Sequence, residues 1–258
     1  MRKFIAFSGG VESSAMCVLF GKNAHAVFAD TGWEHQAVYD RIDKVQETIR
    51  KLHNNDFTIY KVKAEVRQNG KIFDNLPAYI KESFLYPSPK YRYCTDKFKI
   101  RPMDKFLKQF GNVILMIGLN YNEQHRSIRN SSDHITYSYP LINNKITRES
   151  CIKILKKSGL YPNFPVYMQR GGCVGCFYKS KKEFYAMALL SPDEFKQVED
   201  IEEYLNKHGT KKKYYSVRDG IKSMKELRKL AGSGMFKIEE MYGDYDQPET
   251  PCGVFCNR

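Results

Sequence analysis

Apolar and polar positions in the first half of the chain alternate between two periods. The runs at 3–7, 25–30, 57–62 and 112–119 are short, rich in Val, Ile, Phe and Tyr, and little interrupted by charge. Such runs predict strands covered on both faces. Between them, 35–52 sets Val38, Ile42, Val45 and Ile49 at helical spacing, and 12–21 predicts another helix. A helix is expected near 70–84, a break at 86–90 where two prolines fall, and a further helix after Pro102. Strand alternating with helix predicts an α/β fold: a doubly wound parallel sheet with helices on both faces.

The pattern changes beyond residue 145. The stretch 146–159 reads as a helix capped by Thr147 and stopped by Gly159. The stretch 191–209 reads as a second helix, with Ser191 as cap, Pro192 in the first turn, acids early, and Lys207 and His208 late. No strand is expected after Leu141. The expected organisation is therefore an α/β domain over 1–145 and a helical, cysteine-bearing C-terminal extension over 146–258.

With 258 residues, 42% of them hydrophobic, the chain can bury a substantial core. No apolar run approaches the length of a membrane span. Ser8-Gly9-Gly10 and Glu12 interrupt the N-terminal run, so no secretion signal is expected. These features predict a cytoplasmic protein without a membrane partner. The formal charge of +13 favours a polyanionic partner. Between 207 and 229, nine basic residues face two acids. Lys211, Lys212, Lys213 and Arg218, with Tyr214 among them, are the candidate nucleic-acid contacts, unless the run is simply a solvated face.

The chemistry concentrates at 8–14, Ser-Gly-Gly-Val-Glu-Ser-Ser. A glycine pair between strand and helix lets backbone approach a ligand closely. The N–H groups at a helix start favour an anion, and the hydroxyls add donors. The stretch lacks the Gly-Lys-Ser/Thr ending of the Walker loop and the three spaced glycines of the dinucleotide fingerprint.

It resembles the Ser-Gly-Gly-x-x-Ser loop of the PP-loop ATP pyrophosphatases, with Glu12 where those enzymes usually carry Asp. The resemblance continues in order. ADTGWEH (29–35), YCTDKFKIRPMDKFL (93–107), IGLNYNEQHRSIR (117–129), YPLINNKIT (139–147) and GGCVGCFYKSKKEF (171–184) are similar to landmarks of the phosphoadenosine phosphosulfate (PAPS) reductase-like, adenine nucleotide alpha hydrolase-like branch. The resemblance implies ligand at the carboxyl ends of the strands. It implies ATP with Mg²⁺, its phosphates cradled by Ser8, Gly9, Gly10, Glu12, Ser13 and Ser14. Asp30 and Thr31 end the second strand beside the nucleoside or the Mg²⁺. Gly118, Glu123 and Arg126 border the nucleotide, and Lys97 and Lys99 are further anion contacts. Ser13, Asp30 and Arg126 are the implied catalytic residues.

Seven cysteines are present. Cys17 and Cys151 fall in helical patterns and are expected to pack as small hydrophobes. Cys173-Val-Gly-Cys176 can place two thiolates on one metal. By resemblance to cluster-bearing sulfonucleotide reductases, Cys94, Cys173, Cys176 and either Cys252 or Cys256 would hold a [4Fe–4S] cluster. Structural Zn²⁺ at Cys173, Cys176, Cys252 and Cys256, or a metal-free dithiol, are the alternatives. Three functions stay open. In the first, favoured by the intact loop and the charge, ATP is cleaved between its α and β phosphates. A substrate, expected to be a nucleic acid such as tRNA or DNA, is adenylated for sulfur transfer from a donor such as a cysteine desulfurase. The second is a sulfonucleotide reductase releasing sulfite, with Cys252 as nucleophile. The third is a non-catalytic nucleotide- or nucleic-acid-binding subunit, motivated by Glu12.

Overall fold

The computed structural model describes residues 1–127, 133–169, 172–209, 223–234 and 237–238. In chain order, β1 (Arg2–Phe7) leads to α1 (Val11–Phe20), and β2 (His25–Asp30) leads to α2 (Gln36–His53). Next come β3 (Ile59–Lys63), a hairpin of β4 (Val66–Gln68) and β5 (Lys71–Phe73), and α3 (Leu76–Ser83). A short α4 (Tyr93–Thr95) runs through a π-helical turn (Asp96–Ile100) into α5 (Arg101–Lys108). Then follow β6 (Val113–Met116), a 3-10 segment (Tyr121–Arg126), β7 (Ile135–Ser138) and α6 (Pro140–Asn143). After these stand α7 (Arg148–Lys157), α8 (Lys181–Leu190), α9 (Pro192–His208) and α10 (Met224–Gly232).

Five parallel strands form one sheet in the order β3-β2-β1-β6-β7. Both faces are covered, which is why the strands read as continuous apolar runs. Ile5 and Phe7 point into a core made with α1, α2 and α7, whereas Phe4 and Ala6 point into the opposite core against α5. The first core takes in Cys151, Leu155, Leu160 and Met168, so packing is continuous across residue 145. Cys17 and Cys151 are fully buried within it. A further core joins Trp33 and Val174 to α3, α8, α9 and α10.

The expected helix at 70–84 is corrected. Only Leu76–Ser83 is helical, capped by the Asn75 side chain, and the preceding residues form the β4–β5 hairpin. Asn69 and Gly70 turn that hairpin with φ of 48° and 75°, both left-handed, as a two-residue Asn-Gly loop requires. The expected caps at 147 and 191 differ in outcome. Thr147 accepts from the Ser150 N–H, whereas Ser191 caps no backbone and donates instead to Glu194. No helix among the described residues is long and apolar enough to cross a membrane.

Candidate nucleotide site

The loops that follow β1 and β6 meet where the strand order reverses, which is the ligand crevice of open parallel sheets. The β1 loop turns through Gly9 in the left-handed region, φ 78°. Gly10 then starts α1, whose first turn receives no side-chain cap, so its N–H groups are available to an anion. Inside the loop, the Ser13 hydroxyl accepts from the Ser8 N–H and donates to the Gly10 carbonyl, each at 3.2 Å. The Ser8 hydroxyl lies 3.2 Å from it. From the β6 side, Gly118 presses on the loop backbone. A Cβ at Gly118 would stand 3.1 Å from the Ser13 nitrogen.

Two arginines unremarked in the sequence hold this loop. Arg41 is buried in α2. Its Nε donates to the Gly9 carbonyl at 2.7 Å, and its Nη2 donates to Ser14 Oγ at 2.9 Å and to the Leu160 carbonyl at 2.7 Å. Ser14 is thereby turned inward, away from the loop mouth. Arg41 carried a signal, since it lies on the apolar stripe with Val38, Ile42 and Val45. Arg148 opens α7 and donates to Glu12 Oε1 at 2.6 Å, while Asn120 Nδ2 reaches the same oxygen at 3.3 Å. A cation in a helix's first turn opposes the dipole, and that was the available hint of a carboxylate partner.

The structure places the remaining candidates as follows. Asp30 Oδ1 accepts from the Gly32 N–H at 2.8 Å and from the Tyr39 hydroxyl at 2.7 Å. Burial first, and Asp30 next, push the Tyr39 hydroxyl up. Thr31 is fully buried, donates to Glu34 and lies 3.4 Å from the Cys173 sulfur. Glu123 closes a capping box on Asn120 and pairs with Arg126. Lys97 donates to the Tyr79 hydroxyl, and Lys99 lies 3.8 Å from Glu34. Lys211, Lys212, Lys213, Tyr214, Arg218, Cys252 and Cys256 lie outside the described residues.

The 173–176 hairpin docks on the end of β2. Cys173 bridges to Glu34 through its backbone, and its thiol donates to Glu34 Oε1 at 3.3 Å. Burial, then Glu34, push that thiol well above its ordinary value. Gly175 lies against Trp33, where a Cβ would fall 2.1 Å from the indole, and its carbonyl accepts from the Tyr86 hydroxyl at 2.6 Å. Among the described residues no three His, Cys, Asp or Glu side chains converge as a metal site. Cys94, Cys173 and Cys176 are not gathered into one such set among the described residues, and the candidate tail ligands Cys252 and Cys256 lie outside those residues.

An α/β fold with a hydroxyl- and glycine-rich loop at its switch point defines a nucleotide-binding protein. The phosphoadenosine phosphosulfate reductase domain family matches residues 2–182, and this chain belongs to that family of nucleotide-using enzymes. Two uncharacterized proteins of Methanocaldococcus jannaschii are similar. One is 26% identical over 76% of this chain and 46% of its own length. The other is 27% identical over 54% of this chain and 27% of its own length. The chain thus spans less than half of either relative. A crystal structure of phosphoadenylyl-sulfate (PAPS) reductase from Candida auris, a phosphate complex, aligns with a TM-score of 0.45 and 16% identity over 63% of this chain and 75% of that one.

Proposed function

We propose that this chain binds ATP at the 8–14 loop, cleaves it between the α and β phosphates, and adenylates a nucleic-acid oxygen for replacement by sulfur. The carrying observation is the loop itself, complete in its two glycines, with uncapped N–H groups at α1 and interlocked Ser8 and Ser13 hydroxyls. That donor set suits a triphosphate. Mg²⁺ held near Asp30 would neutralise phosphate charge. Ser8, Gly9, Gly10 and Ser13 orient the β and γ phosphates as the leaving pyrophosphate. The acceptor oxygen attacks the α-phosphorus, the bond to the bridging oxygen breaks, and pyrophosphate departs. A sulfur nucleophile from a separate donor then displaces AMP. The charge of +13 supports a nucleic acid as acceptor.

The test incubates the purified chain with Mg-ATP and a pool of unmodified transfer RNA, and in parallel with adenylyl sulfates plus a thiol reductant. Pyrophosphate from ATP is expected, with the adenylyl group held on the transfer RNA until a sulfur donor is added. Sulfite from an adenylyl sulfate, with no pyrophosphate from ATP, would replace this reading with the reductase one.

A further inference from the structure

A groove of about 630 Å³ opens beside the carboxyl end of edge strand β3, between β4 and the π-helical turn leading into α5. Lys63, Arg67, Lys97, Arg101 and Lys105 line it, against the carboxylate of Glu65. Lys105 pairs with Glu65 at 2.7 Å, Arg101 with Asp96 at 2.6 Å and Lys63 with Asp74 at 3.7 Å. These pairs involve exposed side chains, which exchange partners at little cost. Val62, Pro102 and Phe106 give the groove an apolar lining. Cations along a channel with an apolar, partly aromatic wall are the pattern that holds an unpaired strand, phosphates on the charges and base faces on the carbon surface. A duplex keeps its base faces stacked and offers nothing to that wall.

The position matters as much as the composition. Lys63 is in register with Asp30 across the β2–β3 pair. β3 lies two strands from β1, so its carboxyl end is about 10 Å along the sheet from the end of β1, where the phosphate loop begins. The groove and the phosphate loop thus both lie at the carboxyl end of the parallel strands.

We propose that this groove binds a single-stranded segment of nucleic acid and delivers it to the 8–14 loop. The delivery half rests on the adenylation reading above; the binding half does not. The test uses Arg67→Gln, Arg101→Gln and Lys105→Gln combined, all exposed positions outside the nucleotide site. Fluorescence anisotropy follows a labelled single-stranded RNA oligonucleotide over a potassium chloride series. A control triple, Lys22→Gln, Lys51→Gln and Lys153→Gln, removes the same charge from exposed positions beyond α1, in α2 and in α7.

The groove variant should bind at least tenfold more weakly, and the slope of log affinity against log salt should fall by about 0.7 for each phosphate left without its cation. The control should stay close to the unmodified protein. Equal weakening in both triples, unchanged binding in the groove variant, or equal binding of the matching duplex would overturn the proposal. Pyrophosphate release from Mg-ATP in the presence of the transfer RNA pool is measured on the same proteins, and should be slower in the groove variant than in the control. Absence of release from every protein, with the transfer RNA present, would count against the adenylation reading and leave the binding result standing.

Discussion

Glu12 and Arg148 stand 136 positions apart and meet at 2.6 Å, joining the first turn of α1 to the first turn of α7. Glu12 suits the dipole of its own helix, whereas Arg148 opposes the dipole of its own and is held there by the carboxylate. The Arg148 and Glu12 side chains are only 23% and 15% exposed, so solvent screens the pair weakly. Arg148→Ala and Glu12→Gln are each expected to destabilise the chain by about 1–3 kcal/mol. The double variant should lose less than the sum. Urea denaturation of all four proteins checks this, and strict additivity would show that the two side chains are not coupled.

Arg41 braces the loop from behind. Arg41→Met leaves the buried Gly9 and Leu160 carbonyls without their donor, and should cost about 2–4 kcal/mol. Arg41→Lys keeps the charge but loses the fork, and should fall between the parent and Arg41→Met. ATP affinity, by calorimetry at a temperature where both variants are folded, should weaken in the same order. Stability that falls while ATP affinity holds would mean that the guanidinium supports the fold without shaping the loop.

Ser13 locks the loop through its hydroxyl, so Ser13→Ala should remove two or three neutral hydrogen bonds. The expected stability loss is about 1–2 kcal/mol. Nucleotide turnover should drop far more than stability, because the donors facing the phosphates lose their fixed positions. Pyrophosphate release unchanged from the parent would take Ser13 out of the mechanism.

The buried pair His35 and Glu194 predicts an acid limb. His35 Nδ1 lies 2.7 Å from Glu194 Oε2, and its Nε2 is buried with no hydrogen-bond partner among the described residues. Burial holds the imidazole below its ordinary value. For Glu194, burial pushes the carboxyl up, but the hydrogen bond and charge of His35, with the Gln36 N–H and the Ser191 hydroxyl, outweigh it and pull it below its ordinary value. Both groups therefore take up protons more readily in the unfolded chain. Stability should fall as pH drops through about 6.5, where the unfolded histidine titrates, and again through the ordinary carboxylate range. His35→Gln should flatten the first step. Melting temperatures with the same slope between about pH 7 and pH 5 in both proteins would refute the assignment.

Local pattern carried the sheet and failed where pairs are set by tertiary contact. His25–Asp30 was legible as a strand because both its faces are buried, and α2 was legible from Val38, Ile42, Val45 and Ile49. The β4–β5 hairpin was missed although Asn69-Gly70 is a turn signal, since strands of three residues are too short to show alternation. Strand β7, four residues long, was missed for the same reason. At the site, the 8–14 loop was readable from its glycine pair, and Gly118 only through the resemblance of 117–129 to a family landmark. Arg148, Asn120 and the bond from Cys173 to Glu34 join segments distant in sequence, and spacing along the chain carries no record of them.

The strand order has a consequence for synthesis. β1 aligns Phe4 with His25 on one side and Arg2 with Val113 on the other. A nascent chain can assemble β1, β2 and β3 once Lys63 has left the ribosome, while the opposite edge of β1 waits for β6. At about 5–20 residues per second, that edge stays open for about 3–10 seconds. Through that interval β1 offers unsatisfied backbone groups beside apolar side chains, a template for pairing with another nascent chain. Chains truncated after residue 100 should therefore aggregate when released, and soluble monomers would argue against it. The phosphate loop, which needs Gly118 behind it, is among the last features to reach its final form.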